Sequence, residues 1–367
     1  MNASLNEKLG TVKWGEYKLG TLFDIENTLS FNAEKLVDGT EYDYVTRTSI
    51  NQGILQTTGF VNESNINASG TWSLGLLSMD FFYRRKPWYA GQFVRKIIPN
   101  ISIPEKAVPF FSTILNKQKP ILLQVLVRSV DEAFKNISIK LPETADGKID
   151  FDFMESIIAE LEAERVAELS AYLTVSGLDN YELSNDEEDA LKNFQSLKWD
   201  TYNLEKLFGK STRGKRLKGD DRIAGTLPFV TAGEASEGIS AYISNEVEVF
   251  EKNTTTIDMF GSAKYRNYIY GGDDHIAVVH TENLPKYASI FVTTAIHKSS
   301  HNGQFDYGHN FYAKDADALY ISLPVNEAGN PDYDKMAIII SAIHKLVIKD
   351  VVAYSNRKIK ATKAVVK

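Results

Sequence analysis

The sequence has no cysteine in 367 residues, which removes disulfides, cysteine-ligated zinc and thiol chemistry from consideration and fits a reducing compartment. It has no run of eighteen apolar residues, and its opening, MNASLNEKLGTVKWGEY, contains no apolar core of the kind a signal peptide needs. A cytoplasmic location with no membrane partner is therefore expected. Compositional bias is lacking as well: hydrophobic residues at 43% and charged residues at 24% exclude a disordered or fibrous chain, and the length suffices for two domains with their own cores. Net positive charge is also missing, since the total is −7, but the deficit is local. Residues 141–190 carry fifteen Asp and Glu against Lys148 and Arg165, a net of −13 that leaves +6 for the remainder. Charge thus permits a polyanionic partner on the flanks without pointing to one.

What is present is a sequence written twice. Trp14, Tyr17, Leu19, Leu22 and Phe23 recur as Trp199, Tyr202, Leu204, Leu207 and Phe208 at a constant offset of 185. Val45-Thr46 and Gly53-Ile54 recur as Val230-Thr231 and Gly238-Ile239 at the same offset. Further on, IKLPETADGKIDFDFM (139–154) matches ISLPVNEAGNPDYDKM (321–336) at an offset of 182, with Ile139, Leu141, Pro142, Gly147, Asp150, Asp152 and Met154 identical to their counterparts. Strands are expected at 42–48, 75–83, 121–128, 226–231, 255–260, 275–280 and 317–323.

Each copy closes with a Leu-Pro turn and a helix. The first helix is expected to begin near Asp152, with Met154, Ile158, Leu161 and Leu169 as an apolar stripe and Ile157 and Tyr172 beside it. The second is expected near Asp334, with Met336, Ile339, Ile340, Ile343, Leu346, Val347 and Val351 as its stripe. One amphipathic helix usually packs on its own domain. Two matching helices suggest a coiled-coil-like antiparallel pair, relating the copies by a pseudo-two-fold axis. Between the copies, Ser184 followed by Glu187 has the spacing of a capping box and predicts a short helix after Ser184.

Enzyme signatures fail in turn. A methyltransferase acting on base amino groups needs a nucleotide-binding glycine loop and an Asn-Pro-Pro-Tyr-like motif. The nearest string, Asn330-Pro-Asp-Tyr333, aligns with Lys148-Ile-Asp-Phe151 of the other copy and reads as a turn before a helix. Gly209-Lys-Ser-Thr mimics the end of a phosphate-binding loop, but position 204 is Leu where that loop needs Gly. His297 and His301 have helical metal-ligand spacing, yet Ser299, Ser300 and Gly303 argue against a helix and no third ligand is evident, so no metal site is expected.

The Trp-x-x-Tyr-x-Leu-x-x-Leu-Phe opening and the Leu-Pro turn into a long helix, in order and twice, resemble the DNA-specificity subunits of type I restriction–modification enzymes. The resemblance covers nearly the whole chain. It implies an α+β fold: two tandem mixed α/β target-recognition domains, separated by long antiparallel spacer helices on which methyltransferase subunits dock. The corresponding boundaries are 1–140 and 199–323 for the domains, 141–198 for the first spacer and linker, and 324–367 for the second spacer. The short spacers also resemble the target subunits of type IIB enzymes, whose partner fuses nuclease and methyltransferase, and both affiliations remain open. The resemblance further implies a non-catalytic chain that binds no cofactor, with S-adenosylmethionine on the methyltransferase partner and double-stranded DNA and a restriction subunit as the other partners.

Within that frame, Lys210, Arg213, Lys215, Arg216 and Lys218 place five cations beside glycines, a composition suited to phosphates, and arginine can also pair with a guanine edge. Arg47, Arg84, Arg85 and Lys86 are the candidates in the first copy. The 182 offset pairs Arg84 with Arg266, near Lys264, in what read as corresponding loops. Asn302 and Gln304 have the chemistry to read adenine. Met154, Ile158, Leu161, Met336, Ile340 and Ile343 are the candidate partner-binding residues. Two rival readings are a DNA-cleaving enzyme with an unrecognised site, which metal-dependent cleavage would favour, and an interaction scaffold that no longer reads sequence.

Overall fold

A computed structural model describes residues 3–365, and the chain divides into two compact units. The first runs to Leu169 and takes in the residues from Lys358 onward, and the second runs from Ser170 to Arg357.

Among the described residues the first unit has nine strands: β1 (Trp14–Lys18), β2 (Phe23–Asn27), β3 (Tyr42–Val45), β4 (Ile54–Thr58), β5 (Thr71–Gly75), β6 (Asp80–Arg84), β7 (Trp88–Ala90), β8 (Val94–Pro99) and β9 (Ser138–Pro142). They form an antiparallel sheet ordered β2-β8-β5-β6, a sheet ordered β4-β3-β7 in which β3 and β7 are parallel, and a separate pair β1-β9. The second unit continues with β10 (Trp199–Asn203), β11 (Thr212–Arg213), β12 (Ala224–Val230), β13 (Ile239–Ile243), β14 (Val249–Phe250), β15 (Thr254–Asp258), β16 (Ala263–Arg266), β17 (Tyr270–Gly272), β18 (Ile276–Val279) and β19 (Tyr320–Pro324). Its sheets, β11-β18-β15-β16, β13-β12-β17-β14 and β10-β19, follow the plan of the first unit, with β14 added beside β17.

The recurring sequence motifs are the two sides of one clasp. β1 pairs antiparallel with β9, setting Trp14 opposite Pro142 and Tyr17 opposite Ile139. β10 and β19 set Trp199 opposite Pro324 and Tyr202 opposite Ile321. Each clasp ties the two ends of its half together just before the long helix departs. That helix starts on an aspartate whose carboxylate accepts from a first-turn amide: Asp150 from Phe153 N–H at 2.8 Å, Asp332 from Lys335 N–H at 2.9 Å.

The central strands β5 and β15 are buried at every position, as strands covered on both faces must be. Around β5, Phe23, Trp72, Phe81, Phe111 and Phe134 form the first core, with the Phe23 and Trp72 rings edge-on at 5.7 Å. Ile257, Val292, Ile296, Phe311 and Ile321 belong to the second.

The first long helix spans Phe151–Val175 and the second Tyr333–Val365. Met154 and Met336, expected to face a partner, are instead wholly buried, each in the core of its own half, because each sits one turn into a helix that the clasp holds against that core. Ile158, Leu161 and Ile340 are half-buried, while Ile343, Leu346, Val347 and Val351 are exposed. A second pair of helices is equivalent in the two halves. The N-terminal helix Ala3–Thr11 lies on the first long helix through an ion pair from Lys8 to Glu160. The linker helix Asn185–Lys192 lies on the second, where Glu187 accepts from Lys345 at 2.8 Å and from Ser341 at 2.7 Å. Its capping box is the one expected, with Ser184 and Glu187 bonded reciprocally.

Three local expectations are corrected. Residues 121–128 are a helical turn, Lys119–Leu122, and a 3-10 turn, Val127–Ser129. Pro120 is placed to open the first, and a short apolar run does not by itself distinguish strand from helix. Residues 75–83 are a hairpin rather than one strand, since Met79 adopts φ 52° and returns the chain from β5 to β6. His297 to Ser300 end a helix, Lys286–Ser300. The Ser300 hydroxyl is buried and bonded to the Ile296 and Gly261 carbonyls, so tertiary burial overrides its weak propensity.

Candidate nucleic-acid interface

The five cations between Lys210 and Lys218 lie on a segment that includes the short strand β11. The base of their loop is fixed by Ser211 N–H donating to Asp317 at 2.7 Å and by Thr212 Oγ1 bonded to His280 Nε2 at 2.9 Å. β11 then pairs with β18, and Gly214 crosses β17 so closely that a Cβ there would lie 1.7 Å from the Gly272 carbonyl oxygen. Only glycine allows this crossing. Lys210, Arg213, Lys215, Arg216 and Lys218 are all exposed, and among the described residues none has an acidic group within ion-pair distance.

The other candidate cations are differently placed. Arg85 is exposed but pairs with Glu105 at 2.8 Å. Lys86 pairs with the buried Asp43 at 2.9 Å and donates to the Thr40 carbonyl. The Lys264 side chain is 13% exposed, held by Glu234 at 3.1 Å and Asp258 at 3.7 Å. Asn302 and Gln304 are exposed but occupied locally. Gln304 accepts from Asn302 N–H at 2.8 Å and donates to the Ser299 carbonyl at 3.2 Å, finishing the helix end. His297 is also internal, its Nδ1 accepting from Ala263 N–H at 3.1 Å, and burial lowers its pKa.

Arg84 and Arg266 are not surface residues. Each is 1% exposed and lies in a strand, β6 or β16, rather than in the loop expected from sequence. Arg84 donates to Ser73 Oγ from Nε at 2.9 Å and to the Gln52 carbonyl from Nη2 at 2.6 Å. Arg266 donates to Thr256 Oγ1 from Nε at 2.9 Å and to the Glu237 carbonyl from Nη1 at 2.8 Å. Burial pulls the Arg84 pKa down to about 10, against an opposing pull from Asp43, so the guanidinium stays charged at neutral pH. Neither guanidinium reaches the surface, so both act on neighbouring backbone in this structure.

Arg47 is exposed, its guanidinium 5.2 Å from the centre of the Phe93 ring. It borders an open cleft of about 1070 Å³ whose lining includes Asn32, Thr48, Ser49, Asn51 and Gln92. Those five polar residues were missed in sequence. The available signal was the pair of identical flanks, Val45-Thr46 and Gly53-Ile54, around a segment that differs between the copies. Asp273, Asp274 and His275 are the one cluster of cation-ligand type among the described residues. They are three consecutive residues without a ligand from another element, and no metal is assigned to them.

Residues 11–171 match the family described as the type I restriction modification DNA specificity domain. The chain is similar to the BcgI specificity subunit of a type II restriction enzyme from Heyndrickxia coagulans, 22% identical over 335 residues that cover 89% of this chain and 93% of that one. In three dimensions it is similar to the type I restriction-modification system S subunit from M. genitalium, with a TM-score of 0.59, 14% identity, and coverage of 97% of this chain and 94% of the other. At that identity the likeness establishes the fold, two α/β halves with long helices.

Proposed function

We propose that this chain, which belongs to the restriction–modification DNA-specificity family, reads a bipartite DNA site, one half-site per repeat, and directs a methyltransferase to it. Family membership makes it a non-catalytic specificity subunit, so its chemistry is recognition and positioning. The observation that carries the bipartite reading is the duplication of a half-sized unit whose frames agree and whose exposed loops do not. The clasps β1-β9 and β10-β19 share their register, whereas the exposed Ser49-Ile50-Asn51-Gln52 of the first half stands where the second has the exposed Glu234-Ala235-Ser236-Glu237. Two unlike surfaces on one frame suit an asymmetric site.

The partner-facing part of this reading rests on the long helices. Ile343, Leu346, Val347 and Val351 expose apolar surface along the second, beside the half-buried Ile340, and Ile158 and Leu161 are half-buried on the first. Docking of a methyltransferase there would cover them, and that partner would hold S-adenosylmethionine. A restriction subunit, separate or fused, completes the assembly. In the test, the purified chain transfers no methyl groups, and the chain mixed with its cognate methyltransferase modifies one interrupted sequence. Methyl transfer by the isolated chain would overturn this assignment.

A further inference from the structure

We infer that the turns at residues 47–52 and 232–237 are corresponding base-reading elements, one in each half, held in position by Arg84 and Arg266. This rests on the reading that each half contacts its own half-site.

The two turns share one backbone. Asn51 and Gln52 have φ, ψ of 47°, 43° and 54°, 31°, and Ser236 and Glu237 have 49°, 36° and 55°, 26°. Two consecutive non-glycine residues in the left-handed region are uncommon and strained, and here they occur at equivalent positions of both copies. The glycine after them is left-handed too, Gly53 at φ 79° and Gly238 at φ 81°. A Cβ on Gly53 would lie 3.0 Å from the Thr46 carbonyl oxygen, and one on Gly238 would lie 2.7 Å from that of Thr231. The same bond closes each turn, Thr46 N–H to Gly53 O and Thr231 N–H to Gly238 O, both at 2.8 Å. The same buried arginine then takes the carbonyl of the second strained residue, Gln52 or Glu237, and anchors it to a strand hydroxyl, Ser73 or Thr256.

Against this shared frame the side chains differ at every position. Arg47-Thr48-Ser49-Ile50-Asn51-Gln52 faces Ala232-Gly233-Glu234-Ala235-Ser236-Glu237 in alignment, with no identity among the six. Arg47, Ser49, Ile50, Asn51 and Gln52 are exposed, as are Glu234 to Glu237. A turn needed only to reverse the chain would not require a buried charged clamp in both copies. A backbone fixed to this degree, carrying replaceable outward groups, is what reading two different sequences demands. The chemistry also assigns base classes. Arg47 matches the acceptor pair of guanine, Gln52 matches adenine and Glu237 accepts from the amino group of cytosine, while Asn51 Nδ2 donates to the Ile54 carbonyl and Glu234 pairs with Lys264. Arg84 and Arg266 are positioning residues, acting through the carbonyls they hold.

The test uses the full chain with its methyltransferase partner and a randomised duplex library, sequenced after selection. Replacing residues 47–52 with Ala-Gly-Glu-Ala-Ser-Glu should change discrimination at one to three base pairs of the first half-site by roughly 5- to 150-fold each and leave the second half-site unaltered. Arg84→Lys keeps the charge but loses the fork. It should blur the same base pairs while the second half-site stays sharp, whereas a merely structural defect would lower recovery at both. An unchanged first half-site in the graft overturns the inference, whatever the folding of Arg84→Lys. Exchange of the whole segment 14–138 for a relative's separates the two levels. If that exchange changes the first half-site and the graft does not, only the turn assignment falls. If neither changes it, the reading of one half-site per repeat falls as well.

Discussion

The exposed loop of the second half makes a quantitative prediction about salt. Arg213→Ala, Lys215→Ala and Arg216→Ala combined remove three of five exposed cations that have no acidic partner among the described residues. Each phosphate they neutralise releases about 0.9 of a condensed counterion, so the slope of log K against log salt should become shallower by about 2.7. Over a fourfold salt range, from 50 to 200 mM, that difference amounts to a factor of about 40. The triple variant should therefore bind DNA more weakly than the parent, by a margin about 40-fold larger at 50 mM than at 200 mM salt. Lys192→Ala is the internal control, because Lys192 sits on the linker helix beside Glu188 and Asp189, outside both proposed contact elements, and its removal should leave the slope unchanged. Fluorescence anisotropy on a labelled duplex at four salt concentrations measures both slopes, with circular dichroism to establish that the variants fold. A deficit of the same size at every salt concentration would refute phosphate contact. If one of the arginines reads a base instead, its single variant should alter sequence preference by about 1–3 kcal/mol.

Two other perturbations test the frame. Burial alone would raise the pKa of Glu187, but the bonds from Lys345, Ser341 and the Ser184 backbone, with the charge of Lys345, outweigh it and hold it at about 2. A depressed carboxylate pKa contributes stability above its ordinary value of 4.5 and loses it as pH falls toward about 2. Glu187→Gln should thus cost about 2 kcal/mol at pH 7 in urea denaturation, a difference that fades below pH 4. A cost that does not change with pH would contradict the assignment. The two long helices, of 25 and 33 residues, are about 37 and 50 Å long at about 1.5 Å per residue, and the family resemblance makes helix length the determinant of the gap between half-sites. Inserting one helical turn, about four residues, in both long helices should lengthen the unread gap or abolish modification, and an unchanged gap would exclude a role for helix length.

Much of this architecture is legible in the sequence because the duplication marks it. Residues that recur at offsets of 185 and 182 are the ones the frame needs. Trp14 and Tyr17 face Pro142 and Ile139 across the clasp, and Asp150 starts the helix that follows. The same logic, pressed further, separates frame from reading surface. Arg84 and Arg266, offered by the sequence as contacts in corresponding loops, are internal braces in both copies, and their identity at equivalent positions fits that role better than contact with two different half-sites. Their burial was not legible, since an arginine among aromatics in a strand looks the same whether its guanidinium faces solvent or a carbonyl. Neither were the local partners of Lys86 and Lys264, which come from residues 43 and 234, each about thirty or more positions away. The helical end at Ser300 escaped for a similar reason: the Gly261 carbonyl that its hydroxyl meets is distant in sequence.

The central claim is that each repeat reads one half of an interrupted site, and methylation mapping of whole genomic DNA tests it most directly. Cells carrying the system should be compared with cells in which residues 14–138 are replaced by the corresponding segment of a relative. The account predicts one methylated bipartite motif in each strain, with the first half-site changed, the second retained and the gap preserved. Methylation of a continuous motif, or a change in both halves from this single exchange, would contradict it.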